Sequence, residues 1–216
     1  MEKDKRNTVR FISLRGFSGI VVGIVGLIGA YLSYLVISND YSREEKYIKE
    51  IISSYDHYSI TVHAYMGEKL FFIAIFSLSS AIIASFLTTY YQNKKYNQPL
   101  WNKHVNTEIS NLGYTLIVAM IFEMKLIDSA NYGLIIPTSL VFYGGGLLFV
   151  SRYSLGYIKY LGIAEIVLGL INLWITDWGV IIAGIGFGLF HLLYGFVTLL
   201  LFDGIYIKSI KSNGKW

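Results

Sequence analysis

A chain of 216 residues that is 54% apolar and only 15% charged, with a mean hydropathy of +0.52, has the makeup of a membrane protein; soluble domains carry roughly a quarter charged residues. It contains no cysteine, which excludes disulfides, thiolate catalysis and thiolate metal centres, and nothing in it calls for a cofactor. The net charge of +4 comes from Lys and Arg scattered between apolar runs, so the lipid bilayer is the expected partner and nucleic acid is not.

Six apolar runs, 17–37, 70–91, 109–127, 131–150, 157–176 and 179–202, each match the roughly 20 residues a helix needs to cross a ~30 Å hydrocarbon core. The expected architecture is all-α: one membrane domain over 1–216, a bundle of six transmembrane helices. The first run follows Lys3, Lys5, Arg6, Arg10 and Arg15 as a signal peptide would, but its apolar stretch is too long and no small-x-small site occurs before Asn39. It is read as an uncleaved span, with Gly19, Gly23, Gly26 and Gly29 forming a small-residue packing face.

The segment 38–69 is polar and tyrosine-rich, and forms the one large loop. Tyr47, Ile48, Ile51, Ile52 and Tyr55 recur there at helical spacing, predicting a short amphipathic helix against the bilayer or over the bundle. Asp56, His57 and His63 match no metal-ligand spacing and are read as solvent-exposed, so no metal is expected. After the second run, 92–108 is a short polar connection in which Pro99 and Trp101 mark an interfacial turn. Asn111, Glu123 and Lys125 dilute the third run and Pro137 interrupts the fourth, so this pair is expected to be short or tilted. Tyr143 and the glycines 144–146 predict a kink with close packing, or a loosened helix.

Lys and Arg cluster before the first run, at 94–103, at Arg152 and Lys159, and at 208–215; the alternate side holds the fewer Arg43, Lys46, Lys49, Lys69 and Lys125. By the positive-inside bias both termini face the cytoplasm.

The last two runs form an antiparallel hairpin turning at Asp177 and Trp178. Counted from that turn, Gly169 and Gly188 fall at equal depth, as do Glu165 and His191, Gly162 and Gly195, and Arg152 and Asp203. Glu165 stands on a stripe with Gly162 and Gly169, and His191 on one with Gly184, Gly188 and Gly195. Small residues let helix backbones approach in lipid, so the two stripes are expected to face each other and bring the carboxyl to the imidazole. Arg152 and Asp203 would then pair at the cytoplasmic end. An ionisable pair at mid-membrane has two readings: a hydrogen-bonded clasp that fixes the helices, or a pair that exchanges a proton. Trp174 and Trp178 read as an outer aromatic belt.

No phosphate loop, His-Glu-x-x-His zinc motif or nucleophile elbow is present, and no nucleophile stands out beside a base, so no catalytic residue is assigned. The Gly-x-Gly-x-Gly run at 184–188 lies inside an apolar span with no strand before it and is not a dinucleotide fingerprint.

Phe142-Tyr-Gly144, Ser151-Arg-Tyr-Ser-Leu-Gly-Tyr-Ile-Lys-Tyr-Leu-Gly162, Glu165-Ile166 and Gly186-Phe-Gly-Leu-Phe-His-Leu-Leu-Tyr-Gly195 give the stretch 135–195 a likeness. It resembles an uncharacterised family of small multi-pass membrane proteins from Bacteroidetes-type bacteria, with fainter likeness over 11–29 and 100–103. The resemblance implies that the hairpin with Glu165 and His191 is the family's signature. It also implies gene neighbourhoods shared with winged-helix regulators, and so a sensing or accessory role.

The expectation is therefore a multi-pass protein of a bacterial inner (plasma) membrane. It is read as a non-enzymatic sensor or accessory protein with a buried Glu-His clasp, and a cytoplasmic regulator protein as partner. The alternative is a small proton-coupled carrier using Glu165 and His191.

Overall fold

The computed structural model describes residues 16–48, 55–95, 103–152 and 157–200, with the side chains of 40–48, 55–68, 103–106 and positions 89, 92, 93, 95 and 108 outside that description. The protein is all-helical, with no strand among the described residues. Helix α1 spans Phe17–Ile48, α2 Tyr55–Lys95, α3 Lys103–Asp128, α4 Ile135–Ser151 and α5 Ile158–Asn172. The sixth helix has three parts: α-helical Gly179–Ala183, π-helical Gly184–Phe190, and α-helical 191–200.

Among the described residues, five stretches are long and apolar enough to cross a membrane: Phe17–Asn39, Lys69–Thr88, Ile109–Asp128, Tyr132–Ser151 and Thr176–Leu200. They fit a membrane protein. The fifth expected span, 157–176, holds a helix of only 15 residues, about 22 Å at ~1.5 Å per residue, so a crossing of a ~30 Å core there is completed by the turn residues 173–178. Its end is set by Asn172, whose Nδ2 donates to the carbonyl of Ile175 at 2.9 Å and closes a turn where more helix was expected.

The segment 38–69 also differs from expectation. Helix α1 continues to Ile48 and α2 begins at Tyr55, so most of the expected loop is helical, while Ile51 and Ile52 of the expected amphipathic helix lie outside the described residues. No Gly or Pro occurs from 38 to 66, and runs such as Arg43-Glu-Glu-Lys46 are good helix formers, so nothing stops the first helix where its apolar run ends. The side chains of Asp56, His57 and His63 lie outside the described set.

Helix ends are made locally. Gly16, at φ +62, starts α1; its N–H donates to Thr198 Oγ1 at 2.7 Å and its carbonyl accepts the Ile20 N–H at 3.3 Å. Helix α3 ends with Ala130 at φ 56, where the Asn131 N–H reaches Leu126 O at 2.8 Å and the Ala130 N–H reaches Ile127 O at 3.0 Å. These are the two bonds of a Schellman ending. Pro137 lies in the first turn of α4, where the missing N–H has no intrahelical partner to lose, so it starts that helix and does not interrupt it.

Packing follows the small residues. Helix α1 lies between α2 and the sixth helix, and α4 lies between α3 and α5, with the sixth helix touching α4 and α5. Val22, Leu147, Val150, Ile158 and Leu161 form the central apolar cluster. Large apolar side chains such as Phe72, Phe76 and Ile83 point outward, as a lipid-facing surface requires.

Candidate functional site: a polar layer between three helices

Glu165 on α5 and His191 on the sixth helix are fully buried and meet, with His191 Nδ1 3.5 Å from Glu165 Oε1. They meet for a different reason than the facing of glycine stripes. Gly162 and Gly169 turn toward α4, where an added Cβ would stand 2.7 Å from Gly144 O and 2.8 Å from Pro137 O respectively. Gly184, Gly188 and Gly195 turn toward α1, against Ala30, Leu27 and Ile20. Each stripe seeks a helix that can come close: α4 offers its own bare Gly144, and α1 offers Gly23 and Gly26. What gives the carboxyl room is Gly186, where a Cβ would lie 2.5 Å from Glu165 Oε2.

Two further contacts hold the imidazole. The Tyr143 hydroxyl on α4 is 2.7 Å from His191 Nε2, and His191 Nδ1 is 3.2 Å from the carbonyl of Gly186. A carbonyl oxygen only accepts, so Nδ1 carries a proton; in the neutral ring Nε2 is then the acceptor and takes the Tyr143 O–H. Gly186 lies within the π-helical segment, and such local widening of a helix is frequent at functional sites. Tyr143 also packs edge-on to Phe187, with ring centroids 5.5 Å apart.

The imidazole is thus satisfied at both nitrogens, and the carboxyl is not. Neither Glu165 oxygen has a hydrogen-bond partner among the described residues, and the same holds for Asn172 Oδ1. Away from water, such groups cost more than any others in a core. A second polar contact joins α3 to α4, where the Ser139 hydroxyl donates to Glu123 Oε1 at 2.6 Å and also to Ile135 O at 2.9 Å.

Tyr143 and Asn172 are the members that the sequence reading did not place at the site. The depth argument, applied to the α4–α5 hairpin as well, sets Gly144 against Gly162, as is observed, and would have brought Tyr143 to within a turn of Glu165. Asn172 lies seven residues after Glu165, on the same helical face. Arg152 is exposed at the end of α4, and Asp203, its expected partner, lies outside the described residues. Among the described residues, no three His, Cys, Asp or Glu gather as a metal site would require.

No protein-family model, curated protein or solved structure matches this chain.

Proposed function

We propose that this chain is a non-enzymatic sensor or accessory protein of the bacterial inner membrane, working through protein contacts, with Tyr143, His191 and Glu165 as a clasp between three helices. The observation that carries this is the fixed state of His191. Its side chain is 1% exposed and both ring nitrogens have bonding partners, one of them a side chain on a different helix. A ring held in this way ties helices together and sets their register. The orientation with both termini cytoplasmic rests on the distribution of Lys and Arg, and puts the short basic loops where a cytoplasmic regulator would meet them. The resemblance to Bacteroidetes-type membrane proteins supports the same role.

The test is a set of single substitutions read by thermal unfolding in lipid nanodiscs. Both Glu165→Leu and His191→Leu are expected to lose the cooperative transition or lower it steeply. A bundle that unfolds as the wild type does in both variants would end the clasp reading.

A second reading is favoured by the two oxygens of Glu165, neither of which accepts a hydrogen bond among the described residues. In a small proton-coupled carrier, this carboxyl would take up the coupling proton. Glu165→Gln would then abolish flux in proteoliposomes while leaving unfolding temperature near that of the wild type. Flux that survives in that variant excludes this reading.

A further inference from the structure

We propose that the sixth helix is a two-state element whose outer half, 179–185, turns by one residue step when the clasp lets go of its π-helical segment. The proposal goes beyond the clasp, rests on it for what holds one of the two states, and supplies the movement that a sensor needs. A π-helical run fits one residue more into the same rotation than an α-helix does, and such runs recur at functional sites. Here the run is Gly184–Phe190, and side chains hold it. The backbone N–H of His191 bonds to Gly188 O, three residues back, while its ring Nδ1 reaches Gly186 O, five residues back, at 3.2 Å. Tyr143 fixes that ring from α4 at 2.7 Å, and Glu165 Oε2 rests over Gly186, where there is no room for a Cβ.

When these contacts release, the α register returns and the two ends of the helix turn by about 100° relative to each other, the step of one residue. The inner half cannot be the part that moves. Its turning would put Tyr194 in the place of Gly195, where a Cβ already stands 2.5 Å from Ile20 N, and would take Thr198 Oγ1 from the Gly16 N–H. The outer half is held more loosely. Among the described residues, a Cβ at Gly184 comes near only Ala30 Cβ, at 3.2 Å, and one at Gly179 meets nothing nearer than 3.5 Å. No residue from Gly179 to Phe190 has a polar side chain, so any face of this stretch can meet lipid.

The two registers exclude each other at the clasp. With the inner half fixed, the turn brings Ile185 to the place of Gly184, against Ala30, and Phe187 towards the place of Gly186. That second place is full, since a single added carbon there would lie 2.5 Å from Glu165 Oε2 and 2.6 Å from Leu140 Cδ2. The carboxyl over Gly186 therefore selects the π register, and a stimulus that draws Glu165 or Tyr143 away selects the α register. The output is a wedge. An isoleucine where a glycine stood forces α1 and the sixth helix apart at Ala30, in the part of α1 that leads on to Ile48.

Disulfide trapping of the full chain in membranes reads the register directly, because the sequence has no cysteine of its own. Two pairs are compared, Ala30→Cys with Gly184→Cys and Ala30→Cys with Ile185→Cys. A disulfide needs Cβ atoms about 3.5–4.5 Å apart, so in the otherwise unaltered chain only the first pair is expected to cross-link readily. Tyr143→Phe takes away the anchor of the ring, and Gly186→Ala evicts the carboxyl. Each is expected to raise the yield of the second pair on the order of tenfold, the weight of one buried hydrogen bond, at the expense of the first. The two changes lie on different helices, so one suffices where the other does not fold. Gly145→Ala, where nothing described lies within 4 Å of the added carbon, is expected to change neither yield. Cross-linking of the first pair alone in every background overturns the proposal, as does equal yield of both pairs in the unaltered chain. Thermal unfolding of the leucine variants reads the clasp separately: a clasp on a helix with one fixed register leaves those variants destabilised and the cross-links unmoved.

Discussion

The Tyr143 hydroxyl donates to Nε2 of His191 across 2.7 Å, joining α4 to the sixth helix inside the bundle. The carbonyl of Gly186, 3.2 Å from the opposite ring nitrogen, can only accept, so it fixes the tautomer of the imidazole and leaves Nε2 to take the Tyr143 O–H. The clasp is therefore directional, running from the phenol through the ring to the edge of the carboxylate. A helix that must keep one face toward two neighbours gains register from such a bond, as packing of glycine on glycine alone permits sliding.

Tyr143→Phe removes that donor and strands a buried acceptor while keeping the ring that packs on Phe187. The expected loss is about 1–3 kcal/mol of stability, measured as a lowered midpoint of thermal unfolding in nanodiscs. A variant as stable as the wild type would show that Nε2 finds another partner and that the clasp does not depend on Tyr143.

The close approach of α1 and the sixth helix predicts strong intolerance at Gly23 and Gly26. A Cβ at Gly23 would stand 2.6 Å from Leu192 N and 2.7 Å from Gly188 O, and one at Gly26 would run into the carbonyl of Phe187. Backbone atoms cannot rotate away as a side-chain end can. Gly23→Ala and Gly26→Ala should each cost about 1–3 kcal/mol through forced separation of the helices. Gly113→Ala and Gly145→Ala, where nothing lies within 4 Å of the added carbon, should be neutral or mildly stabilising by helix propensity. Equal effects at all four positions would mean that this helix pair is not packed as described.

The all-helical build and the six helices were legible because hydrophobic length is a strong constraint in a bilayer, and the meeting of Glu165 with His191 was legible from their equal depth. Which helix each glycine faces was not. A stripe of small residues says that a backbone comes near, and Gly162 and Gly188 would look the same in sequence whether the neighbour were the hairpin partner or, as found, α4 and α1. The early stop of α5 was hidden because Leu173, Trp174 and Ile175 continue the apolar run after Asn172 has bent the chain. The extension of α1 past its apolar run was missed for the converse reason, since polarity marks the membrane boundary and does not by itself end a helix.

The absence of cysteine from the sequence makes orientation directly measurable. Ser129→Cys, after the exposed Lys125–Asp128 ion pair, and Asp177→Cys, beside exposed Trp178, are expected to react with a membrane-impermeant thiol reagent added to intact cells. Lys94→Cys and Lys159→Cys are expected to react only after permeabilisation. The reverse pattern would place both termini outside and remove the cytoplasmic loops as a docking site for a regulator.

Gly186 offers the sharpest probe of the polar layer, because it gives the carboxyl its room without belonging to either packing stripe. An added methyl would meet Glu165 Oε2 at 2.5 Å and Leu140 Cδ2 at 2.6 Å, so Gly186→Ala must push the carboxyl away from His191 or widen the gap between α5 and the sixth helix. A loss of about 1–3 kcal/mol is expected from overpacking alone. Glu165→Ala should also destabilise, by leaving a void beside His191, yet in the double variant the methyl of residue 186 occupies part of that void. The two changes should thus be less costly together than their sum, with a coupling of roughly 0.5–3 kcal/mol as for residues in direct contact. Unfolding midpoints of the wild type, both single variants and the double variant give that coupling. Strict additivity would show that the Glu165 side chain does not rest on Gly186.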